Sequence, residues 1–271
     1  MAYTNRKSNW FAVTAGLLPV NFEESAKRLE RDLLGIYPFA RILNFNARDF
    51  LECAPLSLSK YGKYLKEDIP GYGYYCWKSE IVQRAISGEF GACDGVMWID
   101  GGCEVFNVPW TRRELLREIQ RAEQNGYVVF ELDTPENRFS KSDVMSLFPR
   151  VDREDTSPQV QATHFFLHGE IGKKIADNWL KVGLNGIEVF DHSPSRMGDP
   201  ADFVLHKSDQ STFSLTLKDM GLSQRISPPP AGNRGKLSRL GAMRAPVWVA
   251  RNRTGKTIKG PIIKFIERLS K

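Results

Sequence analysis

A chain of 271 residues, 41% hydrophobic and 26% charged, is long enough for one large domain or two small ones with an ample core, and this composition excludes a disordered or collagen-like protein. No apolar run reaches the length that spans a bilayer, and the opening MAYTNRKSNW lacks the apolar core of a signal peptide. The net charge of +6 is unevenly placed: residues 225–271 hold twelve Lys or Arg against the single acid Glu267, a balance of +11, which leaves −5 for residues 1–224.

In chain order, strand and helix patterns alternate. WFAVTAG at 10–16 reads as a buried strand ending on glycine, and Phe22, Ala26, Leu29 and Leu33 then fall on one helical face. RILNF at 41–45 reads as a second strand. GYGYYCWKSEIVQRAI at 71–86 crowds aromatics around two glycines, then sets Trp77, Ile81 and Ala85 on one helical face with Lys78 at the helix start. GVMWID at 95–100 is a third strand. Thr111 and Glu114 form a capping-box pattern, TRRE, ahead of Leu115, Leu116, Ile119 and Ala122, and Gly126 closes that helix. YVVFEL at 127–132 and QVQATHFFLH at 159–168 read as a fourth and a fifth strand, followed by a helix over 171–182. Asp209 stands at the N-cap of a last helical pattern, Phe213, Leu215, Leu217 and Met220, ended by Gly221.

The proline run SPPPAG at 227–232 divides a body, 1–226, from a basic C-terminal extension, 227–271. Near its end Ile262, Phe265, Ile266 and Leu269 fall at helical spacing among Lys264, Arg268 and Lys271. That is the pattern of a helix lying on an anionic membrane surface. The extension is poor in aromatics and carries no nucleic-acid-binding motif, which disfavours the rival reading of a nucleic-acid-binding protein.

Alternation of this kind predicts an α/β sheet with helices on its faces, in which ligands sit beyond the carboxyl ends of strands. Asp100 occupies such a position. Gly101 and Gly102 behind it permit positive φ or close approach of another molecule, and the carboxylate can accept hydroxyls or ligate a hard cation. GxGxxG after the first strand and GxxxxGK[ST] are both missing, so a dinucleotide-binding or P-loop enzyme lacks support. Cys53, Cys76, Cys93 and Cys103 show no CxxC spacing, which argues against a zinc cage and fits reduced thiols in a cytoplasm.

Two segments carry a resemblance to a known family. The aromatic-glycine loop, Trp77-Lys78 opening a helix, and a strand ending in DGG with Cys103-Glu104 beyond it resemble bacterial glycosyltransferases of surface-polysaccharide clusters. VLHKSDQSTFSLTLKDMGL at 204–222 resembles the H-x-x-DQS stretch of the same proteins. The likeness is good over residues 71–106 and 187–222 and elsewhere extends only to the order of elements. It implies a GT-A-like (Rossmann-like) mixed sheet with helices on both faces. It also implies transfer of a hexosyl or pentosyl group from a nucleotide diphosphate sugar, UDP by analogy, to a hydroxyl of a glycan or lipid-linked glycan. The place implied is the cytoplasm or the inner face of its membrane.

On this reading Thr14, Lys78, Asp100, Gly101, Gly102 and Lys141 are donor-binding candidates, and Asp209, Gln210 and Asp191 are catalytic ones. Asp209 and Gln210 would act on the donor sugar, and Asp191 would be a general base for the acceptor hydroxyl. Where the common motif has a second Asp this chain has Gly102. A Mn²⁺ or Mg²⁺ site would therefore pair Asp100 with another ligand, His206 foremost and Glu104 after it. Without a metal, Asp100 would take ribose or sugar hydroxyls while cationic side chains neutralise the diphosphate. The missing Asp also motivates a rival reading, a non-catalytic sugar-nucleotide-binding module. Trp77, Tyr72 and Tyr74 are candidates to stack on a base or sugar. His164 and His168, amid Phe165, Phe166 and Leu167, read as core histidines.

Overall fold

The computed structural model describes residues 9–36, 39–106, 108–222, 246–249 and 256. The proline run and the amphipathic stretch at 261–271 lie outside these. The strands are β1 Trp10–Gly16, β2 Phe39–Asn46, β3 Gly95–Ile99, β4 Glu104–Val105, β5 Tyr127–Val128, β6 Glu131–Pro135, β7 Pro158–Val160, β8 His164–His168 and β9 Val247–Trp248. The longer helices are α1 Val20–Leu33, α2 Lys78–Ile86, α3 Pro109–Asn125, α4 Gly169–Gly183 and α5 Ser208–Asp219. Among the described residues no helix is long and apolar enough to cross a membrane.

The central sheet is mixed, with strand order β2-β1-β3-β8-β5. β1 runs parallel to β2 and β3, whereas β8 is antiparallel to both β3 and β5. Side chains alternate across it and supply two cores. On one face Trp10, Ala12, Met97 and Ile99 meet Leu29 and Leu33 of α1 and Leu115, Ile119 and Ala122 of α3. On the other, Phe11, Val13, Val96 and Trp98 meet Ile81 and Val82 of α2, Ile175 and Trp179 of α4 and Phe213 of α5. Trp10, Trp98, Trp179 and Phe213 are fully buried, and each such side chain contributes roughly 1.5–3 kcal/mol. The fold is thus a mixed α/β sheet with helices on both faces.

Three expectations need correction. The fourth and fifth strands each divide. The chain leaves the central sheet after Val128, and β6 pairs with β7 in a separate two-stranded sheet. Residues 161–163 cross between the two sheets: Gln161 N donates to Phe130 O, and Thr163 O accepts from Asp100 N, both at 2.9 Å. Secondly, α3 starts at Pro109, whose missing N–H suits the first helical position. Thr111 therefore lies inside the helix and accepts from Val108 N at 3.2 Å. Thirdly, α5 starts at Ser208, so Asp209 is the second helical residue and not the N-cap. Its carboxylate points elsewhere, as described below.

His164 and His168 do sit in the sheet. His164 is buried and stacks on Phe130 at 4.9 Å, and His168 stacks on Trp10 at 5.4 Å. Burial holds the His164 imidazole neutral, with its pKa down at about 3. Part of the basic extension returns to the body. β9 pairs antiparallel with β4, and Val247 enters the second core.

Candidate functional site

β3 ends at Ile99, and a turn closed by Cys103 N donating to Asp100 O at 2.9 Å follows. The two glycines have a structural use here. A Cβ on Gly101 would lie 3.2 Å from the Ala26 backbone, so α1 packs directly on the turn. Neither Gly101 nor Gly102 takes a positive φ. The molecule that approaches Gly101 is therefore the chain itself; Gly102 is half-buried beside it. From α1, the buried Arg28 donates to Gly101 O at 2.9 Å and Cys103 O at 2.6 Å. Its Nε lies 3.7 Å from the buried Glu104 carboxylate. Arg28 was not singled out from the sequence, and it clamps the turn that presents Asp100.

Asp100 faces away from this clamp. Its Oδ1 accepts from Trp98 Nε1 at 2.8 Å and lies 2.9 Å from Lys78 Nζ. The same ammonium lies 2.5 Å from Asp209 Oδ2. Lys78 opens α2, Asp100 follows β3 and Asp209 lies in the first turn of α5, so three separate elements converge on one cation. The Lys78 ammonium also sits over the rings of Tyr75 and Trp98, at 5.2 and 5.4 Å. Side-chain exposure is 3% for Lys78 and 10% for Asp209 but 32% for Asp100, so the cluster opens to solvent at Asp100.

The electrostatics follow from two carboxylates sharing one ammonium. Burial alone would pull the Lys78 pKa down, but Asp100 and Asp209 outweigh it and raise it above the usual lysine value. Lys78 is therefore a fixed cation. Burial pushes the Asp209 carboxyl up, the Asp100 charge adds to this, and Lys78 opposes it, leaving Asp209 at about 6. The cluster carries one excess negative charge when all three groups are ionised. It suits hydrogen-bond donors such as sugar hydroxyls better than an anionic group.

The loop before α2 has an unusual backbone. Gly71, Tyr72, Gly73, Tyr74 and Tyr75 all have positive φ, from 53° to 87°. Tyr74 N donates to Pro70 O at 2.7 Å and Tyr75 N to Gly71 O at 3.3 Å, the i to i−4 pattern of a left-handed turn. Glycine suits position 73, with φ 87° and Leu65 Cδ2 2.7 Å from where a Cβ would lie. Each tyrosine in this conformation costs about 1–2 kcal/mol. Packing offsets that cost: Tyr72 meets Phe50 edge-on, and Trp77 Nε1 donates to the carbonyls of Gly71 and Tyr72, both at 3.1 Å.

A second cluster forms around Lys141. Its buried ammonium lies 2.8 Å from Asp191 Oδ1 and 3.3 Å from Ser193 Oγ. Asp191 also accepts from Ser193 N and Oγ at 3.1 and 2.6 Å. Burial tends to raise the Asp191 carboxyl, but Lys141 and Ser193 outweigh it and hold it below the usual range. That makes Asp191 a weak base, and it occupies the ammonium that was expected to meet a phosphate. His206 Nδ1 accepts from Lys141 N at 3.3 Å, while Nε2 lies 2.8 Å from Val189 O and donates to it. Burial keeps this ring neutral, with its pKa at about 3.

The expected Asp100–His206 cation site does not fit this geometry. Both His206 nitrogens are committed to the backbone, and the Lys78 ammonium already holds the cationic position between Asp100 and Asp209. Among the described residues no group of three His, Cys, Asp or Glu is arranged to hold a metal ion. Gln210 follows Asp209 in α5, and its side chain donates to Gln159 Oε1 at 2.8 Å. Thr14 is fully buried. By strand alternation it shares the sheet face of Trp10 and Ala12, beneath α1, and does not reach the cluster's open side.

No family model matches the chain, and no curated protein matches it. Solved structures resemble it in course, among them these two. One is a glycosyltransferase involved in the glycosylation of the major capsid of PBCV-1, at 10% identity and TM-score 0.47, covering 97% of this chain and 98% of that one. The other is mouse xyloside xylosyltransferase 1 in its apo form, at 9% identity and TM-score 0.45, covering 89% of this chain and 97% of that one. Both scores lie below 0.5, so neither likeness assigns a family or an activity to this chain.

Proposed function

We propose that the Lys78–Asp100–Asp209 cluster is the donor end of a glycosyltransferase site in a GT-A-like body, residues 1–226. The reaction breaks the anomeric carbon–oxygen bond to a nucleoside diphosphate, with UDP the first nucleotide to try. It forms a bond to a hydroxyl oxygen of a glycan or lipid-linked glycan, and that hydroxyl releases its proton. The observation that carries the reading is convergence. Lys78 and Asp100 come from one family-like segment and Asp209 from another more than a hundred residues on, and their side chains meet within 3 Å. Asp100 and Asp209 accept donor-sugar hydroxyls, and Lys78 fixes their positions; Gln210, the next residue of α5, is held by Gln159. Preorganised acceptors of this kind stabilise the transition state without reorganising.

Thermal unfolding with UDP-, GDP- and CMP-sugars tests this. One nucleotide class should stabilise the protein by about 2.7 kcal/mol at a hundred times its dissociation constant. With Lys78 as the resident cation, the shift should be equal in Mn²⁺ and in EDTA. Protection by none of the three classes sinks the donor assignment, and protection that needs Mn²⁺ sinks the role given to Lys78. Turnover of the protecting donor separates an enzyme from a binding module.

The basic extension, 227–271, is proposed to dock the protein on an anionic membrane, where lipid-linked acceptors would be found. Its +10 balance and the spacing of Ile262, Phe265, Ile266 and Leu269 support this. Each basic residue near the surface contributes about 1 kcal/mol. The full chain should sediment with phosphatidylserine vesicles at low salt but not with phosphatidylcholine vesicles. Equal recovery in both supernatants overturns the docking.

A further inference from the structure

Four contacts and two steps between chain neighbours close into a circuit around the mouth of the Lys78 cluster. Tyr74 meets the ring of His192 edge-on at 5.1 Å. His192 Nε2 lies 3.4 Å from Ser208 Oγ. The next residue, Asp209, reaches Lys78 Nζ at 2.5 Å. Lys78 Nζ lies 5.2 Å from the ring centroid of Tyr75, which adjoins Tyr74. The floor of this circuit, Lys78 and Asp209, is buried, whereas Tyr74 is half-buried and His192 exposed. Both ends of the rim have strained backbone: Tyr74 and Tyr75 lie in the left-handed turn, and Ser208 has φ 45°. Non-glycine residues held in this region cluster where a site fixes their direction.

We propose that Tyr74 and His192 form a rim subsite that holds a pyranose ring of the acceptor, with Tyr74 determining specificity. The floor is acidic and takes hydroxyls. The rim is aromatic, and partial desolvation lowers the His192 pKa from its ordinary value, with Asp191 opposing and Lys141 assisting. An aromatic wall fits the C–H face of a neutral sugar, which presents apolar surface on one side and hydroxyls at its edge. The left-handed turn then has a use: it carries Tyr74 to the rim and Tyr75 to the floor from adjacent positions. The substrate class rests on the glycosyl-transfer reading.

Saturation-transfer NMR on the full chain tests the rim without requiring turnover. The probes are methyl β-glucopyranoside, β-galactopyranoside, β-xylopyranoside and α-mannopyranoside, each with and without UDP. At least one should receive saturation at its ring C–H protons. Tyr74→Gly should bind it about fivefold more weakly or worse, while Tyr74→Phe binds as the wild type does. Glycine accepts the positive φ while the lost ring gives up core packing, so the binding comparison is made on protein whose folding is checked by its melting curve. Donor protection in thermal unfolding should be unchanged.

Saturation of no glycoside, or glycoside binding unaffected in Tyr74→Gly, overturns the rim subsite. So does a loss confined to the nucleotide sugar, which would assign Tyr74 to the donor. If Tyr74→Gly fails to fold, His192→Ala makes the same comparison from the other side of the rim. Glycosides held at Tyr74 by a chain that binds no nucleotide sugar would leave the rim standing and remove the transfer reading. Donor turnover with no glycoside contact would do the reverse.

Discussion

Lys78→Met should cost the fold about 3–5 kcal/mol and abolish transfer. The ammonium is 3% exposed and touches two carboxylates, one of them 10% exposed. Removing it leaves Asp209 buried with no counter-charge beside the like charge of Asp100, so the carboxyl must either stay charged in a buried place or take up a proton. Losses of this size come from stranding a partner, not from the modest net worth of a pair. They are a large share of the 5–15 kcal/mol that stabilises an ordinary domain. The same logic predicts rescue. Lys78→Met combined with Asp209→Asn removes the stranded charge and should recover much of the lost stability while transfer stays absent. Asp100 tolerates the change better, because it is partly exposed and keeps the Trp98 indole N–H at 2.8 Å. Urea unfolding of the wild type, the single and the double variants measures this, with the slope checked for constancy. A loss below about 1 kcal/mol, or a double variant no better than the single, would mean that the cluster is solvated and not a buried charge triad.

The legible parts of this chain are those in which a local pattern agrees with the global packing. β1 and β3 are visible as short continuous apolar runs buried on both faces, and α1 because its apolar residues keep the helical period. Gly126 announces the end of α3 through a single requirement, φ 84°. The stretches 127–135 and 158–168 mislead because each is apolar and β-rich throughout, while the break between two sheets is set by distant partners. Val160 N, for example, goes to Ser214 Oγ at 2.8 Å, on a helix fifty residues later. Composition within a strand cannot carry that information.

At the site, the types and motif positions of Lys78, Asp100 and Asp209 drew attention to them, but not their sharing of one proton-rich centre. An N-cap reading of Asp209 is locally sound, but α5 starts one residue earlier, at Ser208, and the carboxylate goes to Lys78 from another element. Arg28 left a fainter trace. It lies three residues after Ser25 on the buried side of α1, a charged residue where the helix turns inward. Gly101 looked like an opening for a ligand because glycine marks close approach without saying by what. Here α1 makes the approach.

Asp209→Asn should lower transfer by about 10²-fold or more and remove the acid limb of the pH–rate profile. Asp209 has its carboxyl raised to about 6, chiefly by burial. As the pH falls through that value the cluster takes up a proton, and the carboxylate no longer accepts two hydroxyl hydrogen bonds. Wild-type kcat should then drop about tenfold per pH unit below 6, with an apparent pKa that belongs to the coupled cluster. The asparagine variant imitates the protonated form, so its residual rate should be low and flat between pH 5 and 8. Stability moves in the opposite sense. The folded pKa lies above the unfolded value of about 3.9, so the native state binds the extra proton between roughly pH 4 and 6. The stabilisation this proton gives is complete below about pH 4 and is lost as the pH rises through about 6. At pH 7 the ionised carboxylate therefore burdens the fold by on the order of 2 kcal/mol, and Asp209→Asn should be no less stable than the wild type there. The measurements are initial rates with the donor found by thermal protection, and urea unfolding at pH 5 and 7. A variant that loses stability at pH 7 but keeps full activity per folded molecule would make Asp209 an anchor for Lys78. A variant with reduced activity and an unchanged acid limb would assign that limb to another group.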